Sequence, residues 1–171
     1  LDAQVGDGDT GSTFAAGARQ IYDECKGKQL PLNVLPDLLA VTGERLAKVM
    51  GGSSGVLMAI FFTAAGQKMA EGDALPEALQ KGLEKMKHYG GAQLGDRTLI
   101  DALQPAIEAM VNGKDFTDVA DAANKGAENT ASMTKAKAGR SSYLNSENLH
   151  GVQDPGAVAI ARVFAALKQI Q

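Results

Sequence analysis

The sequence predicts an all-α protein that folds as an antiparallel helix bundle. Apolar residues recur at the helical spacing i, i+4, i+8 and i+11, as in Leu75, Leu79, Leu83 and Met86. This spacing places them on one face of a helix. Strand-like alternation of apolar and polar residues is nearly absent. The connections between helical segments are short, which favours antiparallel neighbours.

Seven helices are predicted, with glycine and proline as the punctuation between them. Their expected ranges are 12–27, 34–50, 54–71, 75–89, 97–112, 116–137 and 155–170. The third contains the apolar run 56–62, which periodicity alone could assign to a buried strand. Helix-forming residues continue the run over 63–69, so we expect a central, largely buried helix.

The later helices are predicted from apolar residues at helical spacing and from residues typical of turns and helix starts. The fourth carries the stripe that begins at Leu75, and the fifth repeats its spacing from Leu99 to Met110. Residues 112–115 form a turn before the sixth helix. Asp154 as N-cap and Pro155 at the first helical position predict the start of the seventh.

Composition and charge exclude several classes of partner. The chain has 17 Lys and Arg against 20 Asp and Glu, a net charge of −3, and no basic run. This balance argues against nucleic acid or an anionic membrane as the main partner. No apolar run approaches 18 residues and no signal peptide is visible, so we expect a cytoplasmic protein.

The chain has the length of one domain, so we expect residues 1–171 to form a single domain. The first residue is Leu1 rather than Met, and the chain opens almost directly on its best motif. We therefore expect a piece from the C-terminal part of a longer polypeptide.

The most informative stretch is this opening loop, where Asp2, Asp7 and Asp9 alternate with glycines before a helix. The glycines spell G-x-G-x-x-G, but a dinucleotide-binding turn holds pyrophosphate with bare backbone N–H groups, and these carboxylates would repel it. Mg²⁺ removes the conflict, because it takes one or two carboxylates and completes its shell with water and phosphate oxygens. The loop therefore predicts a metal-bridged nucleotide site.

The opening loop admits two other interpretations. An EF-hand also begins D-x-D, but its third acidic ligand would fall at Gly11 and its bidentate Glu at Ala18, so the match fails. An exposed acidic turn in which Asp9 or Thr10 merely caps the following helix stays open. Capping requires one such residue, and this loop has several more.

Other polar loops carry weaker signals. Residues 51–55 lead into a helix with Ser53 and Ser54, which indicates an anion site or, in the plainer interpretation, an ordinary serine N-cap. The loop from Gly90 has P-loop spacing to Gly95 but lacks the Lys and Ser/Thr of a Walker A motif.

Three cations, Lys135, Lys137 and Arg140, lie near the expected C-terminus of the sixth helix. They could interact favourably with the helix dipole or bind phosphate. Only Arg140, which follows a glycine, is expected to face a loop site.

Taken together, these loops resemble the nucleotide-binding domain of dihydroxyacetone kinases, called the L domain. The resemblance covers essentially all 171 residues. It rests on five ordered motifs: Leu-Asp-Ala-Gln-Val-Gly-Asp-Gly-Asp-Thr-Gly at 1–11, Met-Gly-Gly-Ser-Ser-Gly at 50–55, Gly-Asp-Arg-Thr at 95–98, Gly-Arg-Ser-Ser-Tyr-Leu at 139–144 and Asp-Pro-Gly-Ala at 154–157.

The resemblance implies a closed barrel of eight antiparallel helices with the nucleotide at one end. Seven helices are predicted here, and Leu1 falls where the family's first helix would just have ended. We therefore expect that first helix to be missing from this chain.

The resemblance also implies roles for individual residues. Asp2, Asp7 and Asp9 would bind two Mg²⁺ ions that bridge the phosphates of ATP or ADP, and they would act in catalysis through the metal. Arg140 is implied as a catalytic residue as well. The implied nucleotide-binding residues are Thr10, Gly11, Ser12, Thr13, Ser53, Ser54, Gly90, Leu99, Arg140, Asp154, Pro155 and Gly156.

The activity implied is that of an ATP-dependent glycerone kinase of glycerol metabolism, which phosphorylates dihydroxyacetone or a related short ketose or aldose. The substrate would be held by a K domain, through which the protein would form a homodimer. Thr10 stands where many phosphotransferase-system versions carry His, which favours the ATP-using, single-chain branch.

Three alternatives to this activity remain open from the sequence. The first is an ADP-carrying L subunit of a phosphoenolpyruvate-phosphotransferase-system enzyme. The second is the nucleotide domain of a fatty acid kinase. The third is a helical interaction module with an acidic turn.

Overall fold

The computed structural model describes residues 8–137 and 149–169. In these residues the chain forms seven α-helices, one 3₁₀ turn and no strand, so the all-α prediction is confirmed. None of the described helices is both long and apolar enough to cross a membrane. The helices are α1 (Thr10–Lys26), α2 (Leu35–Val49), α3 (Gly52–Ala70), α4 (Leu75–Gly90), α5 (Ile100–Val111), α6 (Phe116–Asn129) and α7 (Pro155–Lys168), with the 3₁₀ turn at Thr130–Ser132.

The helices belong to two compact units. The helical unit comprises Ser12–Gly90, which is α1 without its first two residues together with α2, α3 and α4. The loop-rich unit contains, among the described residues, 8–11, 91–137 and 149–169, with α5, α6 and α7.

In the helical unit, α2 and α3 are antiparallel and approach closely at glycines. A Cβ at Gly43 of α2 would lie 2.9 Å from the carbonyl oxygen of Ala59 in α3. A Cβ at Gly66, later in α3, would lie 2.6 Å from the carbonyl oxygen of Pro36, earlier in α2. The two helices therefore run in opposite directions with their backbones in contact.

α4 packs against α3 in the same way. A Cβ at Gly82 would lie 2.5 Å from the carbonyl oxygen of Phe61, and one at Gly90 would lie 2.9 Å from Leu57 Cδ2. Later residues of α4 thus meet earlier residues of α3, as expected for an antiparallel pair.

α1 contacts the C-terminal part of α2. A Cβ at Gly17 would lie 2.9 Å from Leu46 Cδ2 and from Met50 Sδ, near the end of α2. Further along α1, the carboxylate of Glu24 accepts hydrogen bonds of 2.7 and 2.8 Å from Nε of Arg45. The hydrogen bond from Arg45 lowers the pKa of Glu24.

In the loop-rich unit, α7 packs against α5 and α6, and α6 packs along α5. A Cβ at Gly126 of α6 would overlap the carbonyl oxygen of Asp101 in α5, so the two backbones are in contact. Phe116 and Phe164 bring α6 and α7 together with ring centroids 6.5 Å apart. Buried side chains of this unit include Leu99, Ile100, Leu103, Ile107, Val119 and Ile160.

The expected range of the sixth helix, 116–137, was wrong at its C-terminal end. The helix ends at Asn129, and after the 3₁₀ turn residues 133–137 are not helical. The Thr130 hydroxyl accepts from the Asp154 N–H, and the Lys137 N–H donates to the Asp96 carbonyl oxygen. The Lys137 N–H thus bonds to a distant carbonyl oxygen and not to one within a helix, so Lys135 and Lys137 do not lie at a helix C-terminus.

The fifth helix begins at Ile100, rather than at residue 97 as the sequence predicted. Asp101 accepts from the backbone N–H groups of Gly95 and Thr98, which holds the preceding residues as a loop. The remaining predicted ranges agree with the helices to within two residues. The apolar run 56–62 is helical as predicted, but Val56 is exposed.

Candidate functional site

The helical unit collects five of the predicted nucleotide-binding residues at one end. α1 and α3 begin at this end, while α2 and α4 finish there. Gly17 and Gly55 both contact Met50, and Gly90 contacts Leu57, which fixes this arrangement. The five residues at this end are Ser12, Thr13, Ser53, Ser54 and Gly90.

The first turn of α3 is suited to binding an anion. Its N-cap is Gly51, which provides no side-chain hydrogen bond, and the turn contains no acidic residue. The first N–H groups of a helix have no intrahelical partner and carry the positive end of the helix dipole. Ser53 is exposed and Ser54 half-buried within this turn, so the interpretation of either serine as the N-cap is wrong.

Gly90 is the last residue of α4 and contacts Leu57 in the second turn of α3. It is exposed, and its backbone lies so close to Leu57 that a side chain would displace it. A glycine here leaves the space beside the α3 start open, which suits the predicted lining role.

Three predicted residues, Asp9, Thr10 and Gly11, lie at the start of α1 and belong to the loop-rich unit. Asp9 is exposed and follows Gly8, whose φ of +83° is readily adopted only by glycine. An exposed carboxylate is a hard oxygen donor of the kind that Mg²⁺ prefers.

The predicted metal site is only partly within the described residues. Asp2 and Asp7 lie outside them, and so does Arg140. Within 8–137 and 149–169, no group of three or more His, Cys, Asp or Glu side chains is placed to hold a metal ion. The one predicted ligand that is described, Asp9, fits Mg²⁺ by its chemistry, and the three-carboxylate site stays a prediction.

A loop at residues 91–99, called here the 91–99 loop, is built on the buried carboxylate of Asp101. Its Oδ1 accepts from the Gly95 N–H at 2.6 Å and its Oδ2 from the Thr98 N–H at 2.7 Å. Asp101 is 1% exposed. These two hydrogen bonds fix the backbone just before Leu99, which is a predicted lining residue.

Asp96 also holds the 91–99 loop in place. Its carboxylate accepts from the Gln93 N–H at 2.7 Å and pairs with Nζ of Lys137 at 3.0 Å. Burial opposes the charge, but the hydrogen bonds from Lys137 and Gln93 outweigh it and lower the pKa of Asp96. Asp96 thus ties this loop to the segment that precedes Arg140.

Arg97 is fully buried in the same loop, with a φ of +60° that is uncommon for a residue with a side chain. Its Nη2 donates to the Val152 carbonyl oxygen at 2.7 Å. Within the described part of the chain, its Nε and Nη1 have no hydrogen-bond partner. Burial lowers the pKa of Arg97, while the charge of Asp154 acts in the opposite direction.

The start of α7 follows the predicted capping. Asp154 Oδ2 accepts from the Ala157 N–H at 2.8 Å, and Pro155 takes the first helical position. The Asp154 N–H donates to the Thr130 hydroxyl at 2.8 Å. Burial raises the pKa of Asp154 to about 6, against the opposing effects of its backbone hydrogen bonds and of Arg97.

Leu99, Asp154 and Gly156 come together in the loop-rich unit. A Cβ at Gly156 would lie 3.3 Å from Leu99 Cβ and 3.1 Å from Asp154 Oδ2. The structure therefore joins the predicted lining residue to the predicted turn at the start of α7.

No role is predicted from the sequence for Arg97, Asp96 or Asp101. All three are buried. Two acids and an arginine within six residues beside a helix start were the available signal, because charges so close to apolar stripes need partners if they are buried.

The model of the DAK2 domain family matches residues 4–169 of this chain. The chain is 59% identical over 170 residues to a dihydroxyacetone kinase of Citrobacter freundii. It is 40% identical over 180 residues to the human triokinase/FMN cyclase. Each match covers 99% of this chain and 31% of the relative, so the chain spans about a third of the length of these relatives.

Two solved structures of the C. freundii dihydroxyacetone kinase are similar to this one. The native form matches with a TM-score of 0.87 at 55% identity, over 99% of this chain and 30% of the other. The complex with AMP-PNP and Mg²⁺ matches with a TM-score of 0.83 at 52% identity, over 99% of this chain and 29% of the other. The likeness therefore includes a chain crystallised with an ATP analogue.

Proposed function

Because the chain belongs to the DAK2 domain family, we propose that it is the domain of an ATP-dependent kinase that binds ATP and magnesium and donates the phosphoryl group. The observation that carries this proposal is its likeness, along nearly its whole length, to a kinase crystallised with AMP-PNP and Mg²⁺. The proposed acceptor is dihydroxyacetone or a related short ketose or aldose, in keeping with the names of the relatives.

We propose that the acceptor is held by a K domain outside this sequence, since the relatives are about three times longer than this chain. Dimerisation through that domain, a cytoplasmic location and a place in glycerol metabolism belong to the same proposal. In the described residues, nothing favours an ADP-carrying subunit, a fatty acid kinase domain or a plain interaction module over the kinase.

The phosphates are proposed to bind at the helix starts. The first turn of α3 contributes N–H groups that have no intrahelical partner and the hydroxyls of Ser53 and Ser54. Thr10, Gly11, Ser12 and Thr13 form the first turn of α1 and are proposed as further phosphate contacts. Backbone donors fixed in this way bind phosphate oxygens without reorganising, which is the main protein contribution to phosphoryl transfer.

Asp2, Asp7 and Asp9 would hold Mg²⁺, with two ions proposed. When bound, the metal offsets charge on the transferred phosphoryl group. The carboxylates would hold the metal in place. Arg140 would add a cation to the phosphates, since a guanidinium binds phosphate oxygens through paired donors.

The base and ribose are proposed to lie against residues of the remaining loops. Gly90 and Leu99 would line this region, and the turn of Asp154, Pro155 and Gly156 would complete the pocket. The contact between Gly156 and Leu99 supports the pairing of these two segments.

Calorimetric titration of the intact protein with AMP-PNP and Mg²⁺ tests nucleotide binding. Asp9→Asn removes one negative ligand and should weaken Mg-dependent binding by about tenfold or more, which is the scale of changes at metal sites. Asp37→Asn makes the same change at an exposed position in the first turn of α2 and is the matched control. Equal affinity for Asp9→Asn and wild type would sink the metal assignment.

Phosphoryl transfer is tested separately, by following ATP consumption with and without dihydroxyacetone by the full-length protein, in which this chain and the proposed K domain are both present. Acceptor-dependent turnover that Asp9→Asn abolishes is the expected result. Tight AMP-PNP binding without turnover on any short ketose or aldose would reject the proposed acceptor class while leaving nucleotide binding intact.

A further inference from the structure

Arg97 is an unusual residue to find in the interior of this unit. A buried charge is costly unless it is paired and hydrogen-bonded. One of its nitrogens bonds to the Val152 carbonyl oxygen, and two others have no partner among the described residues. Its left-handed φ adds backbone strain. The buried cation of Arg97 thus lowers the stability of the fold. A buried group that is unfavourable for stability is a candidate for a functional role.

The cation of Arg97 acts on the start of α7 in two ways. Through Val152 it fixes the residues just before the cap. Through its charge it favours the ionised form of Asp154, although the guanidinium and that carboxylate are not in hydrogen-bond contact. An ionised Asp154 is the stronger acceptor for the Ala157 N–H that it caps at 2.8 Å.

We propose that Arg97 is a positioning residue for nucleotide binding, which keeps the turn of Asp154, Pro155 and Gly156 packed against Leu99. The inference rests on the proposed function, because that turn and Leu99 are two segments of the proposed pocket. Arg97 itself need not touch the nucleotide. Its position in a rigid loop beside the α7 start is sufficient for this role.

The charged groups around Asp154 determine how binding should respond to pH. From the 91–99 loop, Arg97 favours the charged carboxylate, while Asp101 of α5 opposes it. The Thr130 hydroxyl, which follows α6, accepts from the backbone of Asp154 and carries no charge. Within α7, the N–H groups of Gly156 and Ala157 favour the carboxylate. Removal of Arg97 should therefore move protonation of Asp154 to higher pH.

The test compares the affinity for AMP-PNP and Mg²⁺ of the intact wild type with that of Arg97→Met and Arg97→Lys between pH 6 and pH 9. At each pH the ratio of the dissociation constants cancels titration of the nucleotide itself. For Arg97→Met the ratio should be about tenfold at pH 7, where loss of the hydrogen bond to Val152 and protonation of Asp154 both weaken binding. It should shrink towards pH 9, where Asp154 is ionised in both proteins. Arg97→Lys restores the charge and should remove this pH dependence.

A ratio for Arg97→Met that is the same at every pH would overturn the inference, since a purely structural loss has no reason to follow protonation. If Arg97→Met does not fold, the same pH series is measured for Asp154→Asn and compared with wild type. Wild-type affinity should fall relative to Asp154→Asn as the pH drops below about 6, the pKa of Asp154. An unchanging ratio again overturns it. A wild type that does not bind AMP-PNP at all would instead reject the proposed function.

Discussion

The buried carboxyl of Asp154 should make the free energy of unfolding depend on pH. Burial raises its pKa from 3.8 to about 6 in the folded protein. The folded state therefore holds this proton more tightly than the unfolded state does. The stability that Asp154 contributes is fully present below about pH 3.8 and is lost as the pH rises through about 6.

The interval between these two values corresponds to about 3 kcal/mol, at about 1.4 kcal/mol for each pH unit. Asp154→Asn removes the titration and retains a side-chain oxygen that can cap α7. The free energy of unfolding of the variant minus that of the wild type should therefore rise by most of about 3 kcal/mol between pH 4 and pH 7. Above pH 7 the difference should level off.

Urea denaturation at a series of pH values measures this difference, and the subtraction cancels the titration of other groups. Asp115→Asn is the matched control, because Asp115 caps α6 in the same way from an exposed position. Its substitution removes no buried charge and should change the difference far less. A difference between Asp154→Asn and wild type that is constant from pH 4 to pH 7 would show that the pKa of Asp154 is not raised by burial.

Three further substitutions test the packing and the loops. Gly126→Ala should destabilise the protein by about 2 kcal/mol or more, because the new Cβ would overlap the Asp101 carbonyl oxygen; a urea midpoint equal to that of wild type contradicts this contact. Asp96→Ala should cost about 1–3 kcal/mol and speed amide exchange at Lys137, whose N–H bonds to the Asp96 carbonyl oxygen; unchanged exchange would show that the carboxylate does not hold the segment. Ser54→Ala should weaken AMP-PNP binding by about fivefold, the scale of one hydrogen bond, with an unchanged melting temperature; full affinity would remove Ser54 from the phosphate site.

Helices were predictable here because their signals are local. The stripe from Leu75 to Met86 and the Asp154-Pro155 start each lie within a few turns of one helix, and each produced the expected element. The larger of the two boundary errors arose at the end of α6, where the helix end depends on a distant partner. Thr130 bonds to Asp154, 24 residues away, and no local pattern could indicate that α6 would stop there.

The same distinction applies to the candidate site. Its residues could be named from motifs, and the structure brings Leu99, Asp154 and Gly156 into contact. The residues that hold them could not be identified, because burial is invisible in one sequence. Arg97 reaches Val152 across 55 residues of chain, and an arginine in a polar glycine loop is expected to be solvated.

A buried carboxylate that lowers stability at neutral pH and a buried guanidinium with unused donors are both unfavourable for folding alone. Replacement of such groups by neutral ones often stabilises a protein. If the charge of Asp154 is kept for nucleotide binding, Asp154→Asn should shift the two properties in opposite directions at pH 7. The variant should resist urea better and bind AMP-PNP with Mg²⁺ more weakly. A variant that is more stable and binds equally well would show that the charge of Asp154 does not serve binding. A variant that loses stability at pH 7 would contradict the raised pKa of Asp154, which already includes the opposing charge of Arg97.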